Sequence, residues 1–244
     1  MRLGLLEAEI LPAKVVTDFG GYGNMFEKLL APLLPAWSFH YYAVEQGQFP
    51  PHIHACDAYL VTGSRFSAYD QENWIKALKE FVRSLQQNYV PCVGICFGHQ
   101  LIAEALGGKV IKNAAGWGIG KAEFKICQHP HWMTEKVEKF TIRVSHQDQV
   151  VKLPAEAELF ASNHFCPIGG FTVGSHIFCL QGHPEFNDAY LVRLVNKRRN
   201  TIGGEKSDKA LISIEKTHQD PMPASFLRDF FRHHEPASNS LCSN

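Results

Sequence analysis

The spacing of apolar and polar positions divides the chain into two rhythms. Over roughly the first hundred residues, short β-rich runs alternate with amphipathic stretches, the pattern of helices laid on both faces of a mostly parallel sheet. Leu3 to Leu6 reads as the first strand. After the turn-rich segment DFGGYGN, Asn24 is placed to cap a helix through MFEKLL, which Pro32 and Pro35 end. SFHYYAV and AYLVT supply the next two strands. The clearest helix runs from Asp70 to Gln87. In it Trp74, Leu78, Phe81, Val82 and Leu85 fall at i, i+4, i+7, i+8 and i+11, so they share one face that must bury. VPCVGI, apolar almost throughout, predicts a central strand, and GHQLIAEALGG a helix closed by a glycine pair.

From about Lys109 the rhythm changes. KVIK, GKAEFKIC, FTIRVSH, AELFASN, GFTVG and HIFCLQGH are strand-like runs with no long helix between them, which predicts an antiparallel extension or a smaller attached sheet. Helical spacing returns from Asp188 to Asn200 through Tyr190, Leu191, Leu194 and Val195. TIGGEKSD reads as a loop, and ISIEKTH and SFLRDFFRHH as a terminal helical region. The sequence contains no internal repeat, low-complexity tract or linker. The expectation is one α/β domain over 1–244: a three-layer α/β/α sandwich with a mostly parallel central sheet and a small antiparallel extension. Its core spans about 1–200 and a helical region about 201–244.

Composition narrows the functions available. Lys and Arg together number 24, as do Asp and Glu, so no global field favours nucleic acid or an anionic membrane as partner. The apolar start is interrupted by Glu7 and Glu9, unlike a secretory signal, and no stretch approaches the roughly 18 apolar residues of a membrane span. Seven cysteines without C-x-x-C spacing argue against a disulfide framework and against a zinc ribbon. A cytoplasmic protein with free thiols is expected. The H-x-H pairs His52/His54 and His129/His131 lack thiol or carboxylate neighbours at zinc-like spacing, so no metal is expected. Lys197, Arg198 and Arg199 most simply offset the dipole at a helix end, and His233 and His234 read as surface residues.

One cysteine stands apart from the rest. GICFG at 94–98 has the G-x-nucleophile-x-G form, in which a strand turns sharply into a helix and presents the central side chain on a strained elbow. There the unpaired N–H groups and the positive end of the helix dipole favour a thiolate at Cys96 and can also hold an oxyanion. A thiolate nucleophile needs a base, and the base needs an orienting group. CLQGHPEF supplies candidates. At the end of a strand, His183 and Glu185 lie two residues apart and share a face, and Pro184 keeps the chain between them extended.

GICFGHQ followed by QGHPEF resembles the class I, triad-type glutamine amidotransferases, with the two motifs in the family's order. The resemblance implies a flavodoxin-like sandwich with Cys96 as nucleophile, His183 as general base and acid, and Glu185 orienting it. The family's oxyanion loop matches VTGS at 61–64, where Ser64 stands in place of the usual second glycine. The implied oxyanion hole is therefore the N–H groups of Ser64 and Phe97. Substrate contacts are implied at Gly63, at Gln100 of GHQ, and along SHQD through Ser145, His146 and Gln147; a plain polar turn is the alternative for His146 and Asp148. GGYGNMF, GQFP, the TGS loop, SHQDQVVKLP and FCLQGHPEFN further resemble the stand-alone branch that includes the cytosolic γ-glutamyl peptidases, a likeness that fades after about Asn200. The GGYGN segment either lines the site or serves only as a glycine turn and helix cap.

The resemblance implies hydrolysis of a γ-glutamyl amide through a thioester, without metal or organic cofactor. Two alternatives stand beside it: a glutaminase subunit feeding ammonia to a separate synthetase partner, and a non-catalytic binding protein of the same fold. Loops around Tyr22, Arg65 and 116–118 are expected to decide between ammonia and an amino acid as the leaving group.

Overall fold

The computed structural model describes residues 1–217 and 220–236. Cys242, the end of the 201–244 region and His218 of ISIEKTH lie outside the described residues.

The first half builds the parallel layer: β1 (Arg2–Leu6), α1 (Ala13–Phe19), α2 (Tyr22–Leu30), β2 (Ser38–Tyr42), β3 (Ala58–Val61), α3 (Asn73–Gln87), β4 (Cys92–Ile95) and α4 (Phe97–Ala105). The strand-rich stretch follows: β5 (Lys109–Lys112), β6 (Gly118–Ile126), β7 (Lys139–His146), β8 (Asp148–Lys152), β9 (Ala157–Ser162), β10 (Gly170–Val173) and β11 (Ile177–Leu180). Four helices close the chain: α5 (Asp188–Lys197), α6 (Arg199–Ile202), α7 (Gly204–Lys216) and α8 (Met222–His233).

Nine strands form one sheet in the order β2-β1-β3-β4-β11-β10-β9-β6-β7. From β2 to β11 the neighbours pair in parallel, and from β11 to β7 antiparallel. The antiparallel part is therefore a full continuation of the main sheet, and β5 with β8 adds a separate two-stranded ribbon.

Period-2 alternation divides the central strands between two cores. Leu3, Leu5, Leu60, Val93, Ile95 and Phe178 face α2 and α8, joining Phe26, Phe226 and Phe230. Leu6, Tyr59, Val61, Cys92 and Cys179 face α3 and α4, joining Leu78, Val82, Leu85 and Leu101. Helices therefore cover both faces, and the expected α3 stripe buries on the second of them.

Several elements differ from expectation. Gly21 caps α2, and Asn24 sits in the first turn with its Oδ1 accepting the Gly21 N–H at 3.4 Å. The segment TIGGEKSD is helical except at Gly203, whose φ of 94° carries the chain from α6 into α7. Helices α1 and α6 and strand β8 were not expected as separate elements.

Candidate active site

The sheet order itself assembles the site. β3, β4 and β11 are adjacent and parallel, so the residues leaving their carboxyl ends emerge side by side, at a spacing of about 4.8 Å per strand. These residues are Thr62 to Ser64 after β3, Cys96 after β4 and His183 after β11.

Cys96 sits at φ 54° and ψ −100°, outside the conformations that ordinary residues adopt, between β4 and the first turn of α4. Its own N–H donates to the Leu180 carbonyl at 2.9 Å, and its carbonyl accepts the Gln100 N–H at 3.1 Å. The flanking glycines make the turn possible by close packing. A Cβ on Gly98 would lie 2.3 Å from the Val61 carbonyl oxygen, and one on Gly94 would lie 2.7 Å from the Gly98 backbone. The expected elbow is present.

His183 donates from Nδ1 to Glu185 Oε1 at 2.7 Å, and its ring and the Cys96 side chain both border Gly63. With Nδ1–H directed to the carboxylate, Nε2 is the atom left to face the sulfur. Burial opposes charge on this imidazole. The Cys96 sulfur and the Glu185 carboxylate outweigh that penalty, and the His183 pKa rises to about 10. The Phe186 ring stacks on the imidazole at 3.8 Å and 8°. The peptide of His183 is held by β7, its N–H donating to the Arg143 carbonyl at 2.7 Å. Glu185 is buried, and its Oε2 has no hydrogen-bond partner among the described residues.

The loop after β3 closes over this pair. Thr62 Oγ1 accepts the Ala8 N–H at 3.0 Å and donates to the Gly63 carbonyl, tying the loop to β1. A Cβ at Gly63 would come within 2.9 Å of His183 Cε1, so glycine is what allows the loop to approach the ring. Neither the Ser64 nor the Phe97 N–H meets an acceptor among the described residues. The Phe97 N–H is one of the orphan donors of a helix start.

A cleft of about 320 Å³ opens onto Cys96, lined in part by Ser64, Phe97, Gln100, Ser145, His146 and Gln147. Gly63, His183 and Glu185 are not among the residues that line it. Gln100 donates through Nε2 to the Asp148 carbonyl at 2.9 Å and to Gln181 Oε1 at 3.0 Å. His146 is buried, with Nδ1 3.0 Å from the Asp148 carbonyl; burial pushes its pKa down to about 4. It is a neutral core histidine at the cleft floor and not an exposed polar turn.

Of the three loops expected to shape the leaving-group side, two reach the cleft, through Arg65 and Trp117. Tyr22 does not. It is buried and stacks on Phe186, so GGYGN supports the ring that supports His183. Arg198, read from sequence as offsetting a helix dipole, instead turns into the cleft, stacks on Trp117 with Cζ 4.9 Å from the ring centre, and donates to Ser145 Oγ at 2.5 Å. Tyr69 and Lys112 complete the rim, and no sequence signal marked either. No cluster of three or more His, Cys, Asp or Glu that could hold a metal occurs among the described residues, nor does any of their helices have the length and apolarity to cross a membrane.

Comparison with known proteins places this geometry. The chain is 32% identical over 216 residues to gamma-glutamyl peptidase 3 of Arabidopsis thaliana, covering 84% of this chain and 86% of that protein. It is also 32% identical over 226 residues to a glutamine-hydrolysing GMP synthase of Aeropyrum pernix, covering 86% of this chain and 42% of that one. The fold matches the crystal structure of a glutamine amidotransferase from Thermotoga maritima with a TM-score of 0.75, at 20% identity and with 96% of each chain covered. The model of the glutamine amidotransferase class-I family matches residues 36–189, well over half of the chain, and the protein belongs to that family.

Proposed function

We propose that the protein is a stand-alone, cysteine-dependent hydrolase of γ-glutamyl amide bonds. The observation that carries this reading is the position of His183 between the Cys96 side chain and the Glu185 carboxylate, in an elbow whose helix N–H groups are free. The name and extensive coverage of the Arabidopsis relative support the γ-glutamyl part. The reading takes residues 1–244 as one amidotransferase-like domain. The six cysteines within the described residues are all free thiols, which supports a reducing, cytoplasmic setting.

In this mechanism the Cys96 thiolate attacks the γ-carbonyl carbon, forming a C–S bond and an oxyanion held by the Ser64 and Phe97 N–H groups. Collapse of the intermediate breaks the C–N bond while His183 Nε2–H gives its proton to the leaving nitrogen. A water molecule then gives a proton back to Nε2 and attacks the thioester carbonyl. The C–S bond breaks, glutamate leaves and the thiolate returns. Glu185 holds the ring throughout. Among the candidate substrate contacts, Gln100 Oε1 remains available to an ammonium group after its amide N–H groups are engaged, and the SHQ backbone lines the same wall.

The test is glutamate release by wild type and Cys96→Ala with glutamine, glutathione and γ-glutamyl dipeptides. Turnover of peptides well above glutamine, reduced by about four to six orders of magnitude in Cys96→Ala, is the expected result. Equal activity in the variant overturns the mechanism. A second reading, ammonia supply to a synthetase partner, is favoured by the alignment of this chain with 42% of a GMP synthase. Glutamine turnover that appears only on addition of such a partner would establish it.

A further inference from the structure

The cleft contains three cationic side chains, and they differ in what they already hold. Arg65 is engaged by two carboxylates, Glu9 and Glu45. Lys112 and Arg198 have no carboxylate within 4.0 Å among the described residues. Of these two, Lys112 is an exposed point charge at the end of β5, whereas Arg198 is half-buried and fixed on two sides, its face on Trp117 and one Nη1–H on Ser145 Oγ. An arginine presents five N–H donors in a planar fork, so most of them remain for a ligand. A guanidinium held flat, unpaired and aimed into an enzyme cleft is preorganised for bidentate contact with a carboxylate.

The position of that fork indicates which carboxylate. The leaving nitrogen must face His183, because that ring protonates it. His183 pairs with Arg143 across an isolated bridge to β7, and Ser145, which holds Arg198, lies two residues further along the same face of β7. His183 also stacks on Phe186, which packs against Tyr190 and Tyr22. Arg198 therefore belongs to the histidine side of the cleft. Gln100 and the Asp148 carbonyl belong to the α4 side.

Resting on the hydrolase reading above, we infer that Arg198 is the specificity residue for the leaving group, and that the preferred substrates are γ-glutamyl dipeptides whose second residue carries a free α-carboxylate. In such a dipeptide the carboxylate carbon is two bonds from the nitrogen that His183 protonates, a short reach suited to a fork beside the catalytic ring. The Arg198 side chain stacked on Trp117 forms the wall against which this carboxylate docks.

A matched substrate pair isolates the contact: γ-glutamylglycine and γ-glutamylglycinamide differ only in the carboxylate. Wild type should favour the acid by about 10- to 100-fold in kcat/KM, the range of a charge-assisted hydrogen-bonded contact, with the difference mainly in KM. Arg198→Gln should bring the ratio close to 1, and Arg198→Lys, which keeps the charge and loses the fork, should fall between. A thermal melt shows that each variant is folded, and because the readout is a ratio, general damage to the site cancels. Wild type that treats the two substrates alike overturns the inference, as does an Arg198→Gln variant that loses the same factor on both and on glutamine. That last result would assign the arginine to the glutamyl end. Absence of turnover of every γ-glutamyl compound by wild type would instead be a failure of the hydrolase reading.

Discussion

On the parallel half of the sheet the proposed reacting groups are fixed by the main chain, whereas on the antiparallel half the groups that line the cleft are fixed by side chains. Cys96, the Gly63–Ser64 loop and His183 leave three adjacent strands through turns that Gly94, Gly98 and Gly63 hold within contact distance of neighbouring atoms. Trp117, Ser145 and Arg198 come instead from the ends of β6 and β7 and the end of α5, joined by one ring stack and one hydrogen bond. The first arrangement tolerates almost no change, because any Cβ at those glycines displaces backbone or the His183 ring. The second can be rebuilt one side chain at a time. On the proposed mechanism, this difference would let one fold keep the thioester chemistry while changing the leaving group it accepts.

After Cys96→Ala, Glu185→Gln should give the largest loss among variants of the main-chain half, on the order of 10³- to 10⁴-fold in kcat, as expected when the orienting carboxylate of a triad becomes an amide. The amide cannot stabilise the imidazolium and can present an N–H to Nδ1, which selects the wrong tautomer. The loss should be equal on glutamine and on γ-glutamylglycine, in contrast to the substrate-dependent effect of Arg198→Gln. A loss below about 10-fold would show that the Phe186 stack is sufficient to orient the ring. Gly63→Ala comes next. Its methyl would lie 2.9 Å from His183 Cε1, well inside normal contact, so the ring or the loop must move. A drop of about 10- to 100-fold in kcat for every substrate is expected from that misplacement. Wild-type kcat in this variant would show that the loop does not hold the ring.

How much of this was legible in the sequence divides along the same line. The main-chain half advertises itself, because a strained elbow needs glycines at 94 and 98 and a strand-end base needs its partner two residues on, so GICFG and HPE stand out in a single chain. The side-chain half leaves no such mark. Arg198 lies among Lys197 and Arg199 at a helix end, where a basic cluster is ordinary, and only the tertiary fold shows that one of the three turns inward onto Trp117. The first part of helix α7, ahead of the ISIEKTH run, was hidden for a related reason. The stripe that α7 buries consists of Ser207, Ala210 and Ile214, too small and too polar to give a helical hydrophobic period, and the helix begins at the second glycine of a Gly-Gly pair that reads as a turn. α8 was visible because Phe226, Leu227, Phe230 and Phe231 supply a strong apolar face, and those side chains complete the core beneath β11 and β7.

The seam between the two halves gives the smallest expected effect and the finest test of the comparison. His99 on α4 and His146 at the end of β7 are both buried, and each ring lies close enough to charge its neighbourhood: His146 disfavours a proton on His99, and His183 disfavours one on His146. His99 packs on Phe171, and both of its ring nitrogens are buried without a hydrogen-bond partner among the described residues. Burial is the main cause in both, lowering His99 to about 3 and His146 to about 4. The unfolded chain takes up these protons near 6.5, whereas the folded chain does not until much lower pH. The unfolded state therefore binds more protons in this window, and stability present above pH 6.5 is lost as pH falls towards 4. Each histidine contributes a slope of up to about 1.4 kcal/mol per pH unit once the pH is well below 6.5. His99→Gln removes one titrating ring, so its Tm should fall less steeply than wild type between pH 6.5 and 5. The difference should be about 2 to 4 °C for each kcal/mol of slope removed. Parallel Tm profiles for the two proteins would mean that His99 already carries its proton in the folded state, and that the seam is wetter than its packing against Phe171 indicates.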